Sequence, residues 1–216
     1  MRIALAAAAF RDGDTDRNLR QIINWMRTAR TQGADLICFG ESFLQGRDAD
    51  HGVTADSRAF ALLRQATAEF GIDVMFGYNE QTDGIICSSC ALIGGGELLH
   101  NHRRLQRQSD PLLPFSYHGR KCLIALGDEL WAFPESFRPE PDLLFWPICT
   151  ACTPADWVEQ ECSRYIRQAG MICRHVLLFN PLCDGAPPYG GCCDISDGTL
   201  QSALPMKTDG LLLLNA

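Results

Sequence analysis

The stretch ADLICFGES, residues 34–42, joins a short apolar run to a glycine, a glutamate and a serine. The apolar run predicts a buried strand. Upstream of it, Asp16 can cap a helix whose apolar residues recur at helical spacing, and Gly33 ends that helix. Glu41 therefore falls at the carboxyl end of a strand, where open α/β sheets place their ligands. Burial there would raise its pKa towards that of a general base, whereas the alternative interpretation is a glutamate in a surface loop.

The rest of the chain alternates strand and helix patterns, without a linker, a low-complexity segment or an internal repeat. Glycines indicate two hairpin turns, one at residues 94–96 and one at Asp197 and Gly198. The other predicted elements are helices at 57–70 and 154–171 and strands at 1–10, 72–78, 121–126, 142–147 and 175–180. This combination predicts a single α/β domain, residues 1–216, with helices on the outer faces of mixed sheets.

The composition disfavours several classes of partner. The chain has 216 residues and a formal net charge of -7, whereas nucleic acids and anionic membranes attract basic surfaces. No segment is long enough to span a bilayer, and residues 1–10 indicate a buried strand rather than a signal peptide. We therefore expect a cytoplasmic protein whose partners are small molecules or other proteins.

The eleven cysteines lie mostly within apolar runs, which predicts reduced core thiols. Cys87 with Cys90, and Cys149 with Cys152, have the spacing of a zinc knuckle. The first pair lies on a predicted strand, however, where residues three apart face opposite sides. Neither pair is accompanied by a compact second pair of ligands. The sequence thus predicts no metal and no other cofactor.

Several segments, in order along the chain, resemble the nitrilase superfamily of carbon-nitrogen hydrolases. Residues 1–42 are similar to its opening strand, helix and second strand, which ends in a Pro-Glu pair, here Gly40-Glu41. GGGELLHNHRRL, residues 94–105, resembles a strand that ends in a lysine motif, and GDELWAFPE, residues 127–135, resembles the cysteine motif CyDlwfPE. WPICTACTPADW, residues 146–157, and Phe179-Asn180 match two later segments. The resemblance implies an α-β-β-α sandwich of two mixed sheets with helices outside, and a homodimer.

This family resemblance also implies a catalytic triad of glutamate, lysine and cysteine. A thiolate attacks a nitrile or amide carbon, the lysine stabilises the developing charge, and the glutamate moves protons. Glu41 matches the glutamate. The lysine position falls on His102, or on Arg103 in a shifted register, while the two lysines of the chain lie elsewhere, at residues 121 and 207.

The cysteine position falls on Gly127, or on Leu126 or Asp128 in other registers, and none of these residues is a cysteine. The segment between the two motifs, residues 106–121, is short, and Asp110 is its only acid. Because triad residues act as a unit, the loss of two of them would remove orders of magnitude of rate. The sequence therefore favours a non-hydrolytic protein that keeps a pocket for a small amide-like or carboxylate ligand, or for a protein partner.

A divergent hydrolase is the second hypothesis, because other residues could replace the triad. Asp128 could act as nucleophile or base, His102 as proton shuttle, and Arg103 as oxyanion donor. Structural interpretations compete with these roles, since acids also favour the first turn of a helix. The residues that we predict to contact a ligand are Arg103, Glu129, Trp131, Cys149 and Cys152.

Overall fold

The computed structural model describes residues 1–47, 51–137, 141–183 and 186–216. These residues form two six-stranded sheets, one three-stranded sheet and a set of short and long helices. The helices are α1 (Thr15–Thr31), α2 (Arg58–Phe70), α3 (Glu129–Ala132), α4 (Pro154–Asp156) and α5 (Cys162–Ile172), with a 3-10 turn at Pro134–Phe137 and a π-helical segment at Trp157–Glu161.

The first sheet has the spatial order β15-β1-β3-β4-β5-β6. Its strands are β1 (Arg2–Ala7), β3 (Leu36–Phe39), β4 (Asp73–Thr82), β5 (Ile85–Gly94), β6 (Glu97–Arg103) and β15 (Gly210–Asn215). The central strands β1, β3 and β4 are parallel, and the other strands pair antiparallel to their neighbours. The hairpin predicted at residues 94–96 joins β5 to β6.

The second sheet repeats this plan in the order β14-β13-β10-β9-β8-β7, with β8, β9 and β10 parallel. Its strands are β7 (Phe115–Tyr117), β8 (Arg120–Ile124), β9 (Leu143–Pro147), β10 (His175–Phe179), β13 (Cys192–Ser196) and β14 (Thr199–Leu204). The small third sheet contains β2 (Ala9–Phe10), β11 (Leu182–Cys183) and β12 (Ala186–Tyr189). The predicted strand 1–10 is therefore divided, because its last residues leave the first sheet to pair with β11.

The two large sheets pack face to face, and the strand period of two residues distributes side chains between the layers. In β1, Ile3 and Leu5 are buried against the second sheet, whereas Ala4 and Ala6 pack under α1 and α2. Helices α3 and α5 cover the outer face of the second sheet. This is the predicted α-β-β-α sandwich, and it is confirmed.

Helix boundaries depend on local capping. The helix predicted at residues 57–70 is α2, which Ser57 caps and which Gly71 ends with a left-handed backbone. The cap of α1 is Asp14, whose side chain accepts the Arg17 N–H, so the prediction of Asp16 was wrong by two residues. None of the helices in the described ranges is long and apolar enough to cross a membrane.

Candidate functional site

Glu41 follows β3 at the carboxyl end of the first sheet, and its side chain is buried. Two glycines permit the close packing of the backbone around it. A β-carbon on Gly77 of β4 would lie 2.5 Å from Cα of Glu41, and one on Gly40 would lie 2.3 Å from Cδ of Pro181. The glycine that replaces the Pro of the family motif therefore makes room for Pro181.

The Glu41 carboxyl group has two side-chain partners. The Ser88 hydroxyl donates to Oε1 at 3.0 Å, and Arg104 Nη1 donates to the same oxygen at 3.3 Å. Burial raises the pKa of Glu41, since desolvation outweighs the opposing effects of Arg104 and Ser88. Nearby carboxylates at Glu129 and Asp128 raise it further. Glu41 thus has the electrostatic character of a proton-transfer group.

Gly127 stands directly opposite this carboxyl group, on the turn that follows β8. Its backbone is left-handed, with φ +54°, and its N–H donates to the Pro147 carbonyl at 3.1 Å. A β-carbon on Gly127 would lie 3.0 Å from Glu41 Oε2 and 3.4 Å from Arg104 Nη1. By contrast, Leu126 is buried between the sheets. A side chain at residue 127 would therefore face Glu41, and Asp128, the third register considered from sequence, lines the same cleft.

The cation beside Glu41 is Arg104, which sequence reasoning missed. Its guanidinium lies between Glu41 and Asp128 and forms an ion pair with each. These carboxylates outweigh the effect of burial and raise the pKa of Arg104, so it is charged. The predicted residue, Arg103, instead pairs with Glu80 through two contacts of 2.8 Å. The only sequence signal for Arg104 was the paired arginine in HNHRRL.

Arg103 lies away from the cleft because of strand alternation. It is the last residue of β6, and Glu80 belongs to the face of the first sheet where Tyr78 packs under α2. Ser89 and Asn101 also donate to Glu80. Burial alone would raise the pKa of Glu80, but these hydrogen bonds and Arg103 outweigh it and lower the pKa. This network stabilises the sheet and leaves Arg103 without a contact to the cleft.

His102 faces the other side of the sheet and is buried against Glu129, with 2.9 Å between His102 Nε2 and Glu129 Oε2. The Glu129 carboxylate also accepts the backbone N–H groups of Leu105 and Leu126. It therefore ties the end of β6 to the turn that carries Gly127. Neither His102 nor Glu129 lines the cleft at Glu41. Their positions suit the support of the turn better than contact with a ligand.

The cleft above Glu41 has a volume of about 310 Å³. Its lining residues are Glu41, Arg104, Gly127, Asp128, Ile148, Cys149, Thr150, Ala151 and Tyr165. Burial raises the pKa of the Cys149 thiol to about 12, with a further contribution from Glu41. This thiol is therefore protonated at neutral pH and is a weak nucleophile.

Besides Arg103 and Glu129, two further predicted ligand contacts lie outside the cleft. Trp131 packs against Trp146 and Tyr165, with ring centroids 5.1 and 4.7 Å away. The Cys152 thiol donates to the Thr153 carbonyl and does not line the cleft. Cys149 and Asp128 do line the cleft. They lie in the loops that follow β9 and β8.

Asn180, the strand-end asparagine of the family resemblance, supports the loop that forms one wall of the cleft. Its Oδ1 accepts the Thr150 N–H at 3.0 Å, and its Nδ2 donates to the Gly190 carbonyl at 2.8 Å. These bonds fix the loop that carries Cys149 and Thr150.

The short segment after β6 lines a second cavity of about 490 Å³, which shares Arg104 with the cleft. There Asp110 lines the cavity and closes its own turn by accepting the N–H groups of Gln106 and Arg107.

None of the eleven cysteines, all of which lie in the described ranges, forms a disulfide bond. Within the described ranges, no three or more His, Cys, Asp or Glu side chains are grouped so that they could hold a metal ion. The chemistry available at the cleft is thus that of a buried carboxyl group, a guanidinium, a second carboxylate, hydroxyl groups and the protonated thiol of Cys149.

A four-layer sandwich with a buried glutamate opposite a strand-end turn defines a protein of the nitrilase-like fold class. Comparison with known families gives a match to the carbon-nitrogen hydrolase model over residues 2–136, which is more than half of the sequence. The chain therefore belongs to the carbon-nitrogen hydrolase family.

Individual relatives are distant. An arylacetone-specific nitrilase of Alcaligenes faecalis is 28% identical over a match that covers 49% of this chain and 35% of the nitrilase. The chain thus spans about a third of the length of that relative. An amidase from Nesterenkonia sp. has a TM-score of 0.80 at 22% identity, with 99% of this chain and 89% of the amidase covered.

A carbon-nitrogen hydrolase superfamily protein of Xanthomonas campestris, XC1258, which carries an arsenic adduct in its active site, also has a TM-score of 0.80. It is 16% identical, with coverage of 99% and 89% of the two chains. At such identities, these two structures support the fold.

Proposed function

We propose that this protein is a non-hydrolytic member of the carbon-nitrogen hydrolase family that binds a small amide-like or carboxylate molecule in the cleft above Glu41. The observation that carries the proposal is the position of Gly127, whose missing side chain would point at Glu41 Oε2 from 3.0 Å. In a glutamate-to-glutamine mutant of the Nesterenkonia amidase, acrylamide has undergone Michael addition at the active-site cysteine. A glycine supplies no nucleophile, so the covalent step of that chemistry has no agent at this turn.

The cleft still offers complementary groups for a small polar ligand. Arg104 can donate hydrogen bonds to a carbonyl or carboxylate oxygen, and a neutral or charged Glu41 can accept from an amide N–H. Thr150 and Tyr165 add hydroxyl groups on the opposite wall. Binding therefore requires none of the groups that are missing from the triad.

A divergent hydrolase is the second candidate, and one observation favours it. Cys149 lines the same cleft as Glu41, whose raised pKa suits proton transfer near neutral pH. In such an enzyme, Glu41 would have to remove the proton from a thiol whose pKa is about 12. This requirement makes a hydrolase that uses Cys149 a weaker hypothesis than a non-hydrolytic protein with glycine at the nucleophile position.

The two candidates are separated by measuring turnover and binding on the same variants. A panel of aliphatic and aromatic amides, nitriles and the matching carboxylates is tested for ammonia release and for a shift in the thermal midpoint. We expect no ammonia above the uncatalysed rate, and stabilisation by some compounds that is lost in Arg104→Met. Arg103→Met is the matched control, since Arg103 is directed away from the cleft.

Ammonia release that disappears in Glu41→Gln would overturn the non-hydrolytic proposal. If the same release also disappears in Cys149→Ala, the relocated thiol is the nucleophile. If it persists in Cys149→Ala but not in Asp128→Asn, the carboxylate version of the hydrolase is correct.

The homodimer and the cytoplasmic location that we expect from the resemblance and the composition remain part of this proposal. Light scattering coupled to size-exclusion chromatography measures the mass directly. A mass near twice that of the 216-residue chain is the expected result. A monomer over the whole accessible concentration range would contradict it.

A further inference from the structure

A cavity of about 630 Å³, here called the amino-end cavity, lies where the parallel strands β8, β9 and β10 begin. Arg120 is the first residue of β8 and His175 is the first residue of β10. The polar residues that line the cavity are Arg120, Asp142, Arg174, His175, Ser196 and Asp197. The cleft above Glu41 lies at the opposite ends of these strands, because Gly127 follows Arg120 by seven residues, or about 20 Å of extended chain.

Strand alternation directs the Arg120 side chain towards the layer between the two large sheets. Cys122 and Ile124, which lie two and four residues further along β8, are both buried in that layer. His175 has the same orientation, since Leu177 of β10 also belongs to the layer. Arg120 and His175 are both half-buried. The amino-end cavity is therefore the mouth of the layer between the sheets.

The guanidinium of Arg120 is not satisfied by the protein. Its Nη1 atom is buried and has no hydrogen-bond partner, and within the described ranges no other buried side-chain nitrogen or oxygen lacks one. None of the ion pairs found in this part of the chain includes Arg120. A guanidinium keeps its positive charge in proteins, and a buried charged donor without an acceptor is costly. Such a group calls for an explanation, and a bound ligand is one.

The other charged groups around the cavity already have partners. His175 Nε2 lies 2.9 Å from Asp194 Oδ1, and Arg174 Nε lies 3.9 Å from Asp197 Oδ1. Asp142 is exposed to water, and its Oδ2 accepts a backbone N–H of β8 at 2.8 Å. The unpaired guanidinium is thus the charge that these contacts do not compensate, and it attracts a negatively charged group.

We propose that the amino-end cavity binds a small oxyanion, a carboxylate or phosphate group, through the guanidinium of Arg120. The planar guanidinium presents N–H donors in a geometry that matches two oxygens of either group. The Ser196 hydroxyl, which lines the same cavity, can donate one further hydrogen bond. The cavity volume is typical of sites for small molecules. This proposal does not rest on the function proposed for the cleft.

Thermal unfolding of the full chain in the presence of oxyanions tests the proposal. Inorganic phosphate and acetate are titrated separately at pH 7, with sodium chloride added to keep the ionic strength constant. We expect the thermal midpoint to rise and then saturate with at least one of them, which gives its dissociation constant. Phosphate also stabilises proteins by exclusion from their surface, but that effect does not saturate at a site. The anion that saturates at the lower concentration identifies the preferred group, and no saturable rise with either would overturn the proposal.

Matched variants assign the binding to Arg120. Arg120→Met should weaken it by about tenfold or more, because the charged hydrogen bonds are lost. Lys121→Met is the control, since Lys121 is the next residue of β8, does not line the cavity, and shares the outward orientation of Leu123. It should leave the affinity unchanged. Equal affinities in Arg120→Met and wild type would overturn the proposal.

Two further measurements keep the test decisive. Without added oxyanion, Arg120→Met should have a thermal midpoint at least as high as wild type, because it removes an unpaired buried charge. If this variant fails to fold by circular dichroism, Ser196→Ala replaces it and should weaken binding several-fold. Arg104→Met should keep the binding at the amino-end cavity, so that failure here is distinguishable from failure of the cleft proposal. Loss of saturable binding in Arg104→Met would place the oxyanion at the cleft and overturn this inference.

Discussion

At the scale of single residues, Gly127 and Glu41 control what the cleft can do. We predict that Gly127→Cys introduces a thiol beside Glu41 that iodoacetamide alkylates faster than any native cysteine. The change should destabilise the fold by about 1 kcal/mol, because the position has a left-handed backbone. Mass spectrometry of the alkylated protein and urea unfolding measure the two effects. Gly127→Ala shares the backbone cost without the thiol, and an introduced thiol that labels no faster than the native ones would contradict the prediction.

Glu41 should also make stability depend on pH. The pKa of Glu41 in the folded chain is raised above the ordinary 4.5. In the pH window between these two pKa values, the folded chain still holds a proton that the unfolded chain has released. Stability therefore falls through the window, by about 1.4 kcal/mol for each unit by which the pKa is raised. Glu41→Gln lacks this loss. We predict that its free energy of unfolding, relative to wild type, increases from pH 4.5 upwards and then levels off.

Urea unfolding at a series of pH values measures that difference. Ser88→Ala is an informative companion, since it removes a hydrogen bond that favours the charged carboxylate and should widen the window upwards. A difference between Glu41→Gln and wild type that stays constant with pH would show that Glu41 ionises alike in the folded and unfolded chains.

At the scale of secondary structure elements, the contact between α5 and the β13–β14 turn depends on two glycines. Replacing glycine by alanine inside a helix ordinarily stabilises by about 1 kcal/mol. We predict the opposite sign for Gly170→Ala, a loss of about 1–3 kcal/mol, because its β-carbon would meet the backbone of Gly198 at 2.5 Å. Thermal or urea unfolding measures the change. Met171→Ala, at the exposed next residue, is the control and should have little effect.

At the scale of the whole molecule, the layer between the two sheets should make residues 1–216 unfold as one unit. Leu177 of β10 is completely buried in this layer. We predict that Leu177→Ala lowers the free energy of unfolding by about 3 kcal/mol, with a single transition that coincides by tryptophan fluorescence and far-UV circular dichroism. Exposed Leu113→Ala should change it by less than about 0.5 kcal/mol. Separate transitions by the two probes would indicate that the sheets unfold independently.

The sequence by itself determined the layers and the turns. Apolar runs such as residues 3–8, the helical spacing of α1 and the glycine that ends it are local signals, and each acts within a few residues of the chain. They predicted mixed sheets with helices on their outer faces, whereas the face-to-face sandwich was implied by the family resemblance. The order of the family motifs also placed Glu41 at a strand end, and left the cysteine position on Gly127 or an adjacent residue.

Only the tertiary structure decided which side chains meet at the cleft. The residue that pairs with Glu41 is Arg104, rather than Arg103 or His102. Because β6 ends at Arg103, the alternation of side chains along a strand does not predict which way the side chain of Arg104 points. Ser88 reaches the same place from within β5, and Cys149 from the loop after β9. Such contacts join residues far apart in sequence, and their energies depend on burial and distance. Those quantities exist only after the two sheets have packed together.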